Sequence, residues 1–591
     1  MFASPDRTPL LRRLQLPTLV IHGRRDPLVL PSGGSATAAA IPGAILIEFD
    51  EMGHEVPRHR WLEITAAIRR NAKRTRAPSM ATSWQAAAQI PAQIVLHQRA
   101  MTTNANLARE LHDQYRAAKD QPFLRVPGDR AYTYGDIHDR AGRFAGALRT
   151  QGIEAGDRVI VTAPKSVDAV ALYLACLRIG AVYVPLNPAL TTSELDFYVH
   201  DADPAIMVID STQPSPHAVP TLTLDGGGAG SLPEAATDVA SVDDAVMAAP
   251  DDVAAMLYTS GTTGRPKGAM LTHRGLSSNG KALNKIWGFE PGDVLVHALP
   301  IFHVHGLFVA LHCAMFSAAE VLFLARFDID RVLEALPNAT VLMGVPTHYA
   351  RLLADDRFGS AACHNMRLFT SGSAPMTKGI HDTFTGRTGH RILERYGMSE
   401  AGIITSNPLD GDRVAGTVGF ALPDMEMRVA TDAGLCPPGN TGMVEVRGPH
   451  LFAGYWRQPA KTASEHRPDG WFMTGDVGAI DAEGRLTLEG RSSDMIISGG
   501  ENIYPKEIEL CLDAIDSIVE SAVVGHSDPD FGEAVVAFLV VEAGFDLMAV
   551  QTGIAGQLAR FKHPKRYIVV DELPRNAMGK VQKADLRTRQ R

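Results

Sequence analysis

Cysteine is scarce in this chain: 591 residues contain five, at Cys176, Cys313, Cys363, Cys436 and Cys511, with no CxxC pair. Scattered thiols exclude a zinc ribbon or a disulfide framework and predict a reduced, cytoplasmic protein. Basic charge is also short. Lys and Arg number 57 against 66 Asp and Glu, for a formal net charge of −9. A nucleic-acid partner is not expected, because that role needs a concentrated basic surface. No uninterrupted apolar run reaches the ~20 residues that span a bilayer. The stretch Val167–Val184, for example, is broken by Asp168, Arg178 and Gly180. A basic segment followed by an apolar one, the mark of a secretory leader, is missing from the start.

What is present suits a globular protein with a sizeable core: 45% hydrophobic and 21% charged residues. At roughly 150 residues per domain, the length corresponds to about three to four units. Residues 1–72 read as one piece, with buried strands at Leu16–His22 and Ala44–Phe49 and a helix at Trp61–Ile68. Residues 73–100, rich in Ala, Thr, Ser and Gln, read as a linker. From residue 101 to 490, short apolar runs alternate with helical patterns: Arg158–Thr162, Asp168–Leu177, Ala181–Pro185. That is an α/β pattern. Turn residues cluster at Gly490–Ser493, and residues 491–591 read as a small mobile domain.

The string Tyr258–Gly268, YTSGTTGRPKG, follows an apolar, strand-like run. Thr259, Ser260, Thr262 and Thr263 offer hydroxyls, Gly261 and Gly264 let backbone amides approach an anion, and Lys267 adds positive charge. No Gly-Lys-Ser/Thr occurs in the loop, so it is not a Walker A motif. A loop of this kind is built to hold nucleotide phosphates.

YTSGTTGRPKG resembles the signature of the adenylate-forming superfamily, and further strings match that family in order. Ser371–Pro375 (SGSAP), with Ser373, Ala374 and Pro375, resembles the segment that packs on adenine. Tyr396–Glu400 (YGMSE) resembles the motif whose aromatic Tyr396 and Gly397 line the adenine site. The resemblance implies that Ser399 contacts phosphate and Glu400 holds Mg²⁺. Thr474–Asp476 (TGD) resembles the segment whose aspartate binds ribose hydroxyls, joined there by Arg491. Pro574–Lys583 resembles the loop of the catalytic lysine, here Lys580. The resemblance, over about Asn104–Arg591, implies a large α/β adenylation domain and a small mobile C-terminal α+β lid. Its implied activity is an ATP-dependent acid–CoA ligase, with Lys580, Glu400 and Thr259 as the catalytic set. It further implies that the lid turns between the two half-reactions and that Ser498, Gly499 and Gly500 border the CoA passage. The hinge position falls on Ser493, where the family usually carries Asp or Lys.

Two segments match the family's acid pocket: Phe302–Leu307, which contains His303, and Gly344–Leu352, which contains Arg351. An arginine on an otherwise apolar segment either points to water from a helix or pairs with a second, non-reacting carboxylate. The strings ALPIFHVHGLF, LERYGMSE and SGGENIYPK resemble malonyl-CoA synthetases, so malonate is the expected acid, with methylmalonate a second candidate. A medium-chain or aromatic acid is the alternative. A nucleotide-binding protein without turnover is the alternative of another class.

Val20–Leu28 and Glu51–Glu55 resemble the last strands of an α/β-hydrolase, with Asp26 and His54 where that family carries its acid and base. No Gly-x-Ser-x-Gly elbow precedes them. The first 72 residues therefore read as a hydrolase-like fragment without activity of its own.

Overall fold

A computed structural model describes residues 19–23, 38, 41, 45–49, 104–213, 219–260, 266–374, 376–491, 494–498, 501–528, 532–555, 557–558, 560–576 and 579–589. The chain divides into two units, Met1–His97 and Gln98–Arg591. In the first, Leu19–Gly23 and Ile45–Phe49 pair as parallel strands, close to the two strands expected there. Asp26, His54, the expected helix at 61–68 and the linker at 73–100 lie outside the described residues.

The second unit is built on sheets whose helices start where the sequence supplies caps. Thr133 and Asp136 form a capping box at the head of Tyr134–Thr150. The Ser166 hydroxyl accepts from the Ala169 amide at the head of Val167–Ile179, and Gly180 ends that helix in the left-handed region. Every residue of Val167–Ile179 is buried, including the two charged ones. Arg140 pairs with Asp168 at 2.5 Å, and Arg178 donates to the Val242 carbonyl at 2.9 Å. The charges that interrupt the apolar run therefore tie down a core helix, as buried charges must be paired or hydrogen-bonded.

Helices cover two large sheets. One has six strands in the order Pro266–Thr272, Val253–Ser260, Val182–Pro185, Arg158–Val161, Ile206–Ile209, Thr221–Thr223. All its pairings are parallel except the hairpin Val253–Ser260 with Pro266–Thr272. The other has nine strands. Its parallel centre runs Leu393–Met398, Leu368–Ser371, Val341–Gly344, Val294–His297, Glu320–Phe323, Pro122–Arg125. One contiguous core joins residues of both sheets, from Leu107 to Leu486. A five-stranded antiparallel sheet follows over Glu426–Arg491, which the sequence pattern alone did not suggest.

After Arg491 a smaller α+β element carries its own core, including Ile496, Ile508, Val523 and Leu539. Its long hairpin pairs Ile518–Asp528 with Gly532–Val541, and Arg566–Val569 adds a parallel strand. Among the described residues, no helix is long and apolar enough to cross a membrane.

Candidate active site

Ser371 and the run leading to Glu400 stand at the ends of parallel strands, the usual place for a ligand crevice in such sheets. Thr259 is the penultimate residue of one arm of the Val253–Ser260 and Pro266–Thr272 hairpin, and Lys267 faces it in register on the other. Ser260 closes the first arm. Gly261, Thr262, Thr263 and Gly264, the tip of that hairpin, lie outside the described residues, as do Pro375, Gly499, Gly500 and Ser493.

Glu400 is buried at 5% exposure beside this hairpin. Thr259 Oγ1 donates to Glu400 Oε1 at 3.3 Å, and the Tyr455 hydroxyl lies 2.9 Å from the same oxygen. That hydroxyl also lies 2.6 Å from Glu465 Oε2. A phenol has one proton, so it serves one carboxylate at a time. Glu465 has the better claim. Lys461 and Lys267 flank it at 2.7 and 3.2 Å. Burial acts to raise its pKa, but the Lys461 and Tyr455 bonds outweigh it and hold the carboxyl below its usual range. Burial instead pushes Glu400 up, and the Tyr455 bond and Lys267 oppose this only in part. The Lys267 ammonium sits 4.2 Å above the Tyr455 ring, a cation–π contact. Tyr455 and Glu465 are thus site residues absent from the sequence reading. Their only signal is the string GYWRQPAKTASEH, which carries no spacing rule of its own.

A second constellation fixes the predicted adenosine residues. The Tyr396 hydroxyl donates to Asp476 Oδ2 at 2.5 Å, and Arg491 Nε meets Asp476 Oδ1 at 3.1 Å. Asp476 and Arg491 face each other directly across paired strands. The Asp476 charge, ahead of burial, raises the Arg491 pKa. Tyr396 sits at a register shift between Tyr396 and Gly397, where a bulge re-aims the chain. Ser399 follows, half-buried, one residue before Glu400. Ser373 has φ 70°, the strained left-handed region for a non-glycine residue, and Ala374 follows in the same bend.

Lys580 belongs to the smaller element yet lies by the large one. Gly579, its neighbour, is so near the acid-segment helix Pro346–Leu353 that an added Cβ would stand 3.0 Å from Thr347 Oγ1. Lys580 is exposed, with the charges of Arg491, Asp476 and Asp494 acting on its ammonium. Burial, then the charge of Arg491, lowers its pKa. Ser498, of the proposed CoA passage, is buried at the end of a short strand.

The acid segments are less simple than the sequence suggested. His303 is half-buried, and burial lowers its pKa to about 4, so the ring is neutral near pH 7. Arg351 lies on the exposed side of its helix, with no ion pair recorded among the described residues. A second arginine, Arg395, is buried at 5% exposure, and its Nε and Nη2 have no hydrogen-bond partner. It presses on Gly372, where a Cβ would stand 2.5 Å from the guanidinium carbon. His305 Nε2, Ser371 Oγ, Thr370 Oγ1 and His348 Nδ1 are likewise buried without partners. Ser371 and Thr370 stand on the strand beside Arg395, and burial first, then the Arg395 charge, lowers the His305 pKa. Ser373 Oγ lies 3.5 Å from His305 Nδ1. Buried polar atoms without partners are rare in folded proteins, so each of these groups is one that water or a polar ligand can satisfy. Arg395 was legible only as a charge in the apolar strand LERYGM.

Comparison with known proteins gives this arrangement its class. The AMP-binding enzyme model matches residues 111–456, and the AMP-binding enzyme C-terminal domain model matches 507–580. The chain belongs to the AMP-binding enzyme family. Within it, the relatives define an AMP-forming acid–CoA ligase that uses ATP, CoA and a small acid. A malonate–CoA ligase from Arabidopsis thaliana is 33% identical, covering 79% of this chain and 86% of its own length. An indoleacetate–CoA ligase from Aromatoleum aromaticum is 34% identical, covering 78% and 94%. The crystal structure of ATP-bound MatB from Rhodopseudomonas palustris has a TM-score of 0.80 and 47% identity, covering 82% of this chain and 98% of that one.

Proposed function

We propose that the chain is a malonate–CoA ligase, converting malonate, ATP and CoA to malonyl-CoA, AMP and pyrophosphate through malonyl-adenylate, with methylmalonate as a second acid. The observation that carries this reading is Arg395: a buried guanidinium with free donors and no ion pair among the described residues. A buried cation is costly unless an anion or hydrogen bonds answer it. An acid with a second carboxylate supplies that answer, and Arg351 on the neighbouring helix adds a further unpaired charge. An apolar acid leaves the buried Arg395 donors unanswered.

The remaining residues then take these roles. Adenylation joins two anions, so it depends on charge neutralisation and in-line placement. Lys580 bridges the reacting carboxylate and the α-phosphate. Thr259, Ser260, Gly261, Thr262, Thr263, Gly264 and Lys267 hold the phosphates that leave, with Ser399 beside them. Asp476, anchored by Tyr396 and Arg491, accepts from the ribose hydroxyls. Ser373, Ala374, Pro375 and Gly397 border the adenine, and His303 borders the acid. Glu400 holds Mg²⁺. Among the described residues no group of three acidic, His or Cys side chains could enclose a metal. A lone buried carboxylate suits Mg²⁺, which is usually bound by one or two carboxylates, substrate phosphates and water. When bound, Mg²⁺ offsets phosphate charge. Residues 491–591 act as the lid, and Ser498, Gly499 and Gly500 border the path of the CoA thiol.

The test is a panel of acids with ATP, Mg²⁺ and CoA, read by pyrophosphate release. Malonate should exceed octanoate, benzoate and indoleacetate by a wide margin. The opposite order sinks the malonate assignment and leaves the ligase class intact.

A further inference from the structure

Lys165 follows the strand Arg158–Val161 and precedes the cap Ser166. Its Nζ lies 2.8 Å from His297 Nδ1, 2.9 Å from the His297 carbonyl oxygen and 2.9 Å from the Leu299 carbonyl oxygen. His297 Nε2 meets the Gly306 carbonyl oxygen at 2.9 Å. These four bonds need four N–H protons. A neutral lysine brings two and a neutral imidazole brings one. The pair must therefore hold one extra proton and a single positive charge, whichever nitrogen carries it. The Phe323 ring covers the ammonium at 4.4 Å. No carboxylate pairs with Lys165 among the described residues, and burial alone lowers its pKa. The fold thus maintains an unanswered charge against a desolvation cost.

What the charge holds is the acid segment. The chain between His297 and Gly306 carries Phe302 and His303, and the Lys165 bonds fix its first residues while His297 ties its last. The turn is tight: a Cβ on Gly306 would stand 2.0 Å from the Pro300 carbonyl oxygen. On the other side, the charges of Lys165 and Arg351 both act on His348. We propose that Lys165 and His297 form a charged positioning pair that locks the 297–306 loop and favours an acid bearing a second carboxylate over a monocarboxylate. All three Lys165 donors are spent on the protein, so the pair acts on the substrate through loop geometry and through the potential it sets. This inference rests on the malonate reading.

The experiment compares full-length wild type with Lys165→Met and Lys165→Arg, using pyrophosphate release with malonate and with propionate. Lys165→Met should lower kcat/KM for malonate about tenfold more than for propionate, chiefly through KM, as loss of one close charge implies. Lys165→Arg should recover most of the malonate preference. An unchanged ATP KM and an unchanged ATP-induced rise in Tm verify the fold. If Lys165→Met fails that check, Lys165→Gln takes its place. Equal losses with both acids, or no loss, overturn the proposal. A wild type that prefers octanoate or benzoate overturns the malonate reading instead, and is visible before any variant is made.

Discussion

The two halves of the crevice treat charge in opposite ways. On the nucleotide side, nearly every ion has a protein partner: Glu465 with Lys461 and Lys267, Asp476 with Arg491 and Tyr396. On the acid side, Lys165, Arg351 and Arg395 have no carboxylate partner among the described residues, and the histidines near them are held neutral by burial. Paired charges such as Lys267 with Glu465 keep their part of the site in shape without a ligand. Arg395, buried with free donors, leaves a deficit that an anion would fill, whereas the Lys165 donors are spent on the loop and Arg351 faces solvent. On the malonate reading proposed above, selectivity for the acid resides where the protein leaves a buried charge without an anion.

Lys580 stands between the halves, and its loss should have the largest effect. Lys580→Ala should slow malonyl-adenylate formation by roughly 10²–10³-fold, the scale of removing one aligned electrostatic donor. Thioester formation from supplied malonyl-adenylate should persist. Equal damage to both steps would detach Lys580 from adenylation.

On the acid side, Arg395→Leu should reduce kcat/KM for malonate by about 30- to 150-fold, equivalent to about 2–3 kcal/mol of charge-assisted hydrogen bonding. The ATP KM should stay within about twofold, since the nucleotide side keeps its own pairs. If both parameters fall together, the contrast between the halves is wrong. On the nucleotide side, Tyr455→Phe removes the hydroxyl shared by Glu400 and Glu465. It should raise the Mg²⁺ needed for half-maximal rate about fivefold and leave malonate KM unchanged, the scale of one hydrogen bond. A shift in malonate KM instead would place Tyr455 with the acid.

The smallest effect concerns Glu394, beside Arg395 on the same strand. It is a carboxylate whose pKa burial raises to about 7, with only the Gly416 amide and more distant Lys506 opposing. The folded chain keeps this proton at pH values where the unfolded chain has released it, so stability declines between about pH 4.5 and 7 and levels off above. Glu394→Gln should flatten that decline by a few degrees at most in Tm, measured by calorimetry across this range. An identical slope in the variant would mean that Glu394 is ionised throughout.

Much of the scaffold was legible. The expected runs Arg158–Thr162, Asp168–Leu177 and Ala181–Pro185 correspond to Arg158–Val161, Val167–Ile179 and Val182–Pro185. These are buried on nearly all sides, so they stand out as continuous apolar runs. The antiparallel sheet over Glu426–Arg491 was not legible. Its strands are partly exposed and shorter in apolar run, as in Glu426–Thr431 with Glu426 and Thr431 both open to solvent. The sequence left Arg351 open between facing water and pairing with the acid; the structure puts it on the exposed side of its helix and brings out the buried Arg395 instead.

By itself, the sequence determined the reaction class. Binding phosphate, adenine and ribose depends on backbone turns and their flanking side chains. That geometry is local, so it is written in contiguous strings such as YTSGTTGRPKG, YGMSE and TGD. Only the tertiary structure decided which charges are answered. Lys165 and His297 are 132 residues apart, Glu400 and Tyr455 are 55, and Tyr396 and Asp476 are 80. Strand order and register set these distances. Coulomb and hydrogen-bond energies depend on separation in space, which no local pattern encodes.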